Sequence, residues 1–497
     1  MENISITQLT EDQKRAFDLM NSGVNVFLTG EAGTGKSEVV KIFIRTAEAD
    51  GKSLLIMAPT GTAADNLHGE TIHRSFGADI GIQKNNRRLT ERKDILRVAD
   101  VIIIDEISMC RFDLFEYVAR RILYENEMRV QDRANLEKAK LFGYMPEEYE
   151  EFPVKENDLQ LIVLGDFYQL PPVVTQDDAM ELSAVYKFDY GKGYAFKSTC
   201  WDMMKFRSVV LKEIVRQDDA AFKTVLSEVR HADSKRKSSC IDFLMRNSSS
   251  FPMTGDDSIF LVPTNKKCKE INDREMAKLT TSERTYHAKV DGDVNNGDKF
   301  ADDEILLKDG CKVMLTVNDS SGRYVNGTIG IVKKLRSDSI DVLTESGQLI
   351  TVGDNSKEIT KPVLKKKTVK RLVNEAVLDE EGQPKKDEKG NVITKQVLKE
   401  VEEESIVHEK VGSFTQLPVR VAYAITIHKS QGKTFNKINL DPYAWDDGQF
   451  YTALSRGKKI ENICFMQNIQ PKFIKTSDDV RQFMKKLEKA SEGYLDI

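Results

Sequence analysis

Eight residues near the N-terminus, Gly30-Glu31-Ala32-Gly33-Thr34-Gly35-Lys36-Ser37, fit the spacing GxxxxGK[ST]. The glycines let backbone N–H groups wrap phosphate oxygens without Cβ clashes, and a following helix adds the positive end of its dipole. Lys36 is placed to neutralise β and γ phosphates, and Ser37 to ligate Mg2+. A second feature is the run "VIIIDE", which closes on Asp105 and Glu106. Carboxylates at the tip of a buried parallel strand face the ligand crevice. Asp105 suits the metal, and Glu106 suits a base that orients the attacking water. "LIVLGDFYQLPPV" ends a third strand and brings Gln169, whose amide both donates and accepts, although Pro171 and Pro172 alone would explain a turn there. Phosphoryl transfer also needs cations on the γ-phosphate, and the candidates are Arg216 in "LKEIVRQDD" and Arg456 in "YTALSRGK". Taken singly, either arginine reads as an ordinary surface residue.

These groups need a scaffold. Short apolar runs ("VNVFLTG", "SLLIMAPT", "VIIIDE", "LQLIVLGD", "SIFLVPT") end in Gly, Asp, Pro or Thr and pass into helical patterns. Continuous apolar runs of that length suit strands buried on both faces, so the fold class is α/β with parallel sheets. "TNKKCKEINDREMAKL" reads as a helix, and "YAITIH" and "KINLD" as further strands. Two segments break the rhythm. Arg129–Asp158 is charged and helix-prone and reads as an insertion. Residues from about Asn295 to Gly412 are strand-and-turn in character and read as a small β barrel or sheet. Within it, apolar residues alternate on both sides of "DEEGQPKKDEKGN", which predicts a long charged hairpin over Lys361–His408.

The bounds agree. At 497 residues the chain is too long for one domain. With 40% apolar and 31% charged residues it reads as soluble. No apolar run approaches the roughly 20 residues that cross a bilayer, and the polar N-terminus is no leader, so a cytoplasmic protein without membrane partners is expected. Six scattered cysteines without CxxC spacing suggest reduced thiols and no zinc site. A net charge of −5 argues against a polycation but leaves room for a local basic groove.

In order along the chain, "LTEDQKRAF", "GEAGTGKS", "APTGTAADNL", "GETIHRSFG", "IIIDEISM", "LFEYVARRI", "LGDFYQLPPV", "LKEIVRQ", "VPTNKKCKEIN", "ITIHKSQGKTF" and "YTALSRGK" resemble the ordered motifs of the Pif helicases, within the 5′-to-3′ branch of superfamily one that includes RecD-like enzymes. The resemblance covers most of the chain. It implies two RecA-like cores with Mg-ATP between them. The first (1–66 and 99–180) would hold Gln13 as adenine reader, Gly33, Thr34, Gly35, Lys36, Ser37, Asp105, Glu106 and Gln169. The second (181–294 and 413–497) would give Arg216 and Arg456. It implies a wedge at 67–98 and a barrel of the Src-homology-three type at 295–412. It also implies an ATP-dependent helicase moving 5′ to 3′ on single-stranded DNA.

The expected strand contacts are Pro59, Thr60, Gly61, His73, Thr264, Asn265, His428, Lys429, Ser430 and Gln431. Thr60 and Thr264 would serve equally well as plain helix caps. Expected partners are single-stranded DNA and tailed or forked duplex, with G-quadruplexes and RNA–DNA hybrids as further candidates. The motor is expected to translocate as a monomer. "ITIHKSQGKTF" ends like a second phosphate loop, but the position where that loop needs its first glycine is Ile427. One nucleotide site is therefore expected, with this stretch delivering His428 to Gln431 to the cleft.

Overall fold

A computed structural model describes residues 8–492 except 79–80, 85–88, 90–91, 143–145, 147–148, 150–151, 218, 320 and 377–393. The first sheet has six parallel strands: β1 (Val26–Gly30), β2 (Leu54–Ala58), β3 (Glu70–Thr71), β4 (Val101–Ile104), β5 (Gln160–Leu164) and β6 (Arg207–Leu211). Their order is β3-β2-β4-β5-β1-β6. Strands β1, β4 and β5 are buried throughout. Successive side chains alternate between two apolar layers. Val26, Leu28, Val101, Ile103, Ile162 and Leu164 join the layer that includes Val39, Val40 and Phe43 of the helix Lys36–Ala49. Phe27, Ile102, Ile104, Leu161 and Val163 join the opposite one.

The second sheet has four parallel strands in the order Ala424–Thr426, Ser258–Val262, Lys437–Leu440, Ile463–Phe465. Between its first and later strands the chain builds a five-stranded antiparallel sheet from Lys312–Leu315, Ile329–Leu335, Ser339–Thr344, Leu349–Gly353 and Val419–Val421. This unit has its own apolar core around Phe300, Leu307, Val313, Val342 and Phe414. From it extends an antiparallel ribbon, Asn355–Ala376 paired with Thr394–Gln416. The hairpin expected over Lys361–His408 is therefore longer at its base; its expected turn at 379–391 lies outside the described residues.

Two expectations need correcting, and the segment expected as an insertion in the first core can be placed. Arg207–Leu211, assigned from sequence to the second core, pairs in parallel with β1 and closes an edge of the first sheet. The segment 67–98 is anchored in the first unit at both ends, because Glu70–Thr71 pairs with β2 and Leu96 and Val98 of the helix Asp94–Val98 are buried. The Arg129–Asp158 insertion begins inside a continuous helix, Phe112–Phe142. Arg129 is no surface charge: it is 2% exposed, pairs with Glu125 at 3.2 Å, and donates to the carbonyls of Leu96 (2.7 Å) and Ala99 (2.6 Å). It thereby satisfies the open C-terminal carbonyls of the neighbouring short helix.

Candidate active site

The phosphate loop leaves buried β1 and enters the helix Lys36–Ala49. Gly33 and Gly35 adopt φ of +86° and +80°, which favours glycine, and each has a neighbour pressed against it. A Cβ on Gly33 would lie 2.5 Å from the Cβ of Arg216, and one on Gly35 would lie 2.6 Å from Nε2 of Gln13. The Lys36 ammonium donates to the carbonyls of Gly30 and Glu31, both at 3.0 Å, and burial lowers its pKa.

The loop faces a cavity of ≈830 Å3. Ser37, Asp105, Glu106 and Gln169 line it from the first unit, and Gln431 and Arg456 from the second, with Arg216 between them. Burial, reinforced by the charge of Glu106, pushes the Asp105 carboxyl up to about 8. Its Oδ1 accepts from the Glu106 N–H at 2.7 Å, while its buried Oδ2 has no hydrogen-bond partner. An orphaned carboxylate oxygen in a cavity shared with the Ser37 hydroxyl fits a hard divalent cation with oxygen ligands. Glu106 itself sits at φ +49°, a left-handed conformation that costs a non-glycine residue about 1 kcal/mol or more. Burial raises its carboxyl pKa as well, opposed by Lys36, Arg456 and a hydrogen bond from Gln431.

The arginines converge on the same cavity. Arg456 is 2% exposed and held by the Thr452 carbonyl (2.8 Å) and Ser455 Oγ (2.8 Å), with a longer contact to Gln169 Oε1 (3.4 Å). Burial, with Arg216 nearby, pulls its pKa down to about 9. Arg216 lies on the segment that leaves β6, and its Nη1 donates to the Ser455 carbonyl at 3.2 Å. It therefore bridges the units, whereas the sequence reading gave it to the second core.

The other expected contacts divide. Gln13 is buried and does not line the cavity: Oε1 accepts from the Thr10 N–H (3.1 Å) and Nε2 donates to the Thr34 carbonyl (3.0 Å). It braces the phosphate loop. Thr60 and Thr264 are both helix caps in nearly the same geometry, φ/ψ −129°/151° and −130°/151°, and each accepts at 3.3 Å from the N–H three residues on. Pro59, Thr60 and Gly61 are half-buried, Thr264 and Asn265 exposed. Gly61 is closely covered, since a Cβ there would lie 1.7 Å from the Gly297 carbonyl. His73 is half-buried near Arg111, and burial lowers its pKa.

Ile427 lies just past the strand Ala424–Thr426 in a helical conformation, and His428–Ser430 form one helical turn. That turn buries Ser430 completely, with its hydroxyl donating to the Ile427 carbonyl at 2.7 Å, so Ser430 presents no group to a strand. It leaves Lys429 exposed and turns Gln431 to Glu106, with Nε2 donating to Oε2 at 2.9 Å. Burial also lowers the pKa of His428.

A second network was missed from sequence. Asp166 forms a buried ion pair with Arg230 at 2.9 Å, and the Tyr451 hydroxyl lies 3.4 Å from the same carboxylate. That hydroxyl accepts from the Ala32 N–H of the phosphate loop at 2.9 Å, and Ser227 donates to Glu31 at 2.8 Å. Removing one partner of such a buried pair costs about 3–5 kcal/mol. The available signal was a charge, Arg230, on the apolar face of Ala220–His231 beside Phe222, Leu226 and Val229.

Comparison with known proteins agrees with this geometry. The family model for the PIF1-like helicase matches residues 8–237. The ATP-dependent DNA helicase Pif1 of Bdellovibrio bacteriovorus is 29% identical over 493 residues, which cover 97% of this chain and 92% of that protein. The crystal structure of Bacteroides sp Pif1 in complex with ADP-AlF4 superposes with a TM-score of 0.71 at 26% identity, covering 97% of each chain. Bacteroides Pif1 bound to ssDNA gives 0.62 at 27% identity, covering 97% of this chain and 98% of that one. The chain is thus similar to PIF1-like helicases both within the matched residues 8–237 and beyond them, through the second unit.

Proposed function

We infer that the protein is an ATP-dependent DNA helicase that hydrolyses ATP in the cleft between its two parallel-sheet units and moves 5′ to 3′ on single-stranded DNA. One observation carries this reading: residues 429–433 touch both halves of the task. Gln431 holds Glu106 in the nucleotide cavity, while Lys429 lies in a neighbouring cavity with Thr60 and Gly61.

In this mechanism the N–H groups of Gly33 to Lys36 and the Lys36 ammonium take the phosphates. Ser37 and Asp105 would hold Mg2+, which supplies charge neutralisation to the β and γ phosphates. Glu106, kept in place by Gln431, orients the attacking water. Arg216 and Arg456 meet the γ-phosphate charge only when the units are closed, and Gln169 couples to that movement through Arg456. Thr60, Thr264 and Asn265 present capped helix starts to strand phosphates. The antiparallel unit serves as the barrel-type insertion, and the segment 67–98 as the wedge that parts the duplex.

The deciding experiment is ATPase activity with and without single-stranded DNA, followed by unwinding of duplexes with a 5′ or a 3′ tail. Strand-stimulated ATPase and preference for the 5′ tail are expected. Stimulation without unwinding would make the protein a translocase, and preference for the 3′ tail would reverse the polarity. G-quadruplex and RNA–DNA hybrid substrates enter the same assay, and sedimentation during turnover tests the monomer.

A further inference from the structure

Beside the nucleotide cavity lies a second one of ≈380 Å3. Three parts of the chain build it: Thr60 of the first unit, Thr316 and Arg420 of the inserted unit, and Lys429 and Lys433 beyond the strand Ala424–Thr426. Lys433 lines the nucleotide cavity too.

Two side chains here have buried polar atoms without a hydrogen-bond partner, Nε of Arg420 and Oγ1 of Thr316. Thr316 is only 7% exposed, so bulk water does not satisfy it. Elsewhere on the Arg420 guanidinium, Nη2 makes a long contact with the Phe300 carbonyl at 3.4 Å. Leaving such groups unpaired is costly, so they mark a place where something else donates or accepts. The charge points to what that is. Arg420 lies close enough to Lys429 and Lys433 that, after burial, its charge is the next cause lowering both ammonium pKa values, that of Lys433 to about 8. Asp302, near Arg420 and Lys429, and Asp65, near Lys433, offset these cations only in part. Asp65 pairs with Lys357 at 2.7 Å and Asp303 with Lys299 at 2.8 Å, while Asp302 is exposed. Lys433 bonds the neutral amide of Asn326.

We propose that this cavity seats one phosphodiester of the bound strand, with Arg420, Lys429 and Lys433 supplying charge and the Thr316 hydroxyl a donor. A phosphodiester is an anion with several acceptor oxygens, which matches clustered donors that lack acceptors. The inserted unit then grips the strand together with the first unit, and Lys433 carries that occupancy to the wall of the nucleotide cavity. This rests on the helicase reading above.

The test is fluorescence anisotropy of a labelled oligo-dT over a salt series, with mant-ATP binding measured in parallel. Arg420→Gln should weaken strand binding roughly tenfold, as expected for losing charged hydrogen bonds. It should also flatten the slope of log K against log salt by about 0.7, the share of one single-strand phosphate. Thr316→Val should weaken binding by a smaller factor at an unchanged slope, and Arg420→Lys should keep most of the slope. Mant-ATP affinity should change less than twofold in Arg420→Gln. Thermal melting of all three variants confirms folding, and the conservative pair keeps the test valid should Arg420→Gln not fold. Unchanged affinity and slope in folded Arg420→Gln would overturn the proposal, as would equal losses for strand and mant-ATP. So would inorganic phosphate stabilising the wild type but not Arg420→Gln while both bind oligo-dT equally, because the ligand would then be free phosphate. A wild-type protein that binds no oligo-dT would sink the helicase reading itself.

Discussion

The Gln431 amide donates to the Glu106 carboxylate across the cleft, Nε2 to Oε2 at 2.9 Å. Glu106 sits in a strained left-handed conformation, so a partner from the other unit fixes the orientation of its carboxylate. Gln431→Ala should therefore lower the ATPase kcat about tenfold, the worth of one hydrogen bond to a charged group, with KM for ATP changing far less. A steady-state ATP titration reads both, and an unchanged kcat would show that the contact is incidental.

Lys36 is the only lysine hydrogen-bonded to phosphate-loop carbonyls among the described residues, at Gly30 and Glu31. Lys36→Ala should cut kcat/KM for ATP by roughly 100-fold or more, in line with the loss of one preorganised electrostatic group, and abolish unwinding. Persistent strand-stimulated ATPase in this variant would remove the nucleotide-site assignment.

Two glycines separate backbone strain from contact. Gly23 and Gly33 have similar φ, +81° and +86°, but a Cβ at Gly23 meets nothing within 4 Å whereas one at Gly33 meets Arg216 at 2.5 Å. Both alanine variants should lose about 1–3 kcal/mol from the backbone conformation. Only Gly33→Ala should also lose ATPase activity, because it displaces Arg216. Urea unfolding and ATPase assays on the two variants make the comparison, and equal activity in both would refute it.

His408 of the ribbon lies 3.0 Å from Glu70 beside β2, and this hydrogen bond raises the imidazole pKa above 6.5. The sign follows from linkage. With a folded pKa above the unfolded one, the pair contributes fully below about 6.5 and its contribution is lost as pH rises through the folded value. The histidine side chain is 50% exposed, so the effect stays below about 1 kcal/mol. The Tm difference between wild type and Glu70→Gln should shrink as pH rises across this window; a difference constant with pH would dismiss the contact.

Much of the first unit was legible because its strands are continuous apolar runs, and the phosphate loop because glycine spacing has a direct backbone meaning. Strand β6 was misassigned for a physical reason. "RSVVL" pairs with β1, far away in sequence, and nothing local marks a parallel partner. Arg129 was read as the start of a charged, helix-prone insertion, yet it lies inside a continuous helix and its guanidinium is spent on buried carbonyls. Ser430 fits any polar contact motif by type; only the helical turn after Ile427 shows that its hydroxyl points inward. Gln13 was legible as important but not for its place, since its bonds to Thr10 and Thr34 depend on how the first helix docks on the loop.

The matched caps of Thr60 and Thr264 have a consequence for motion. Each unit ends a buried strand in Pro-Thr and opens a helix from the same backbone state to within a degree. On the proposed reading, the protein holds its track with two copies of one clasp. Neither clasp has to be rebuilt between cycles, so the quantity that changes when the cleft opens and shuts is the spacing between them. The stride of such a motor is set like the opening of a pair of callipers, by the hinge rather than by the tips.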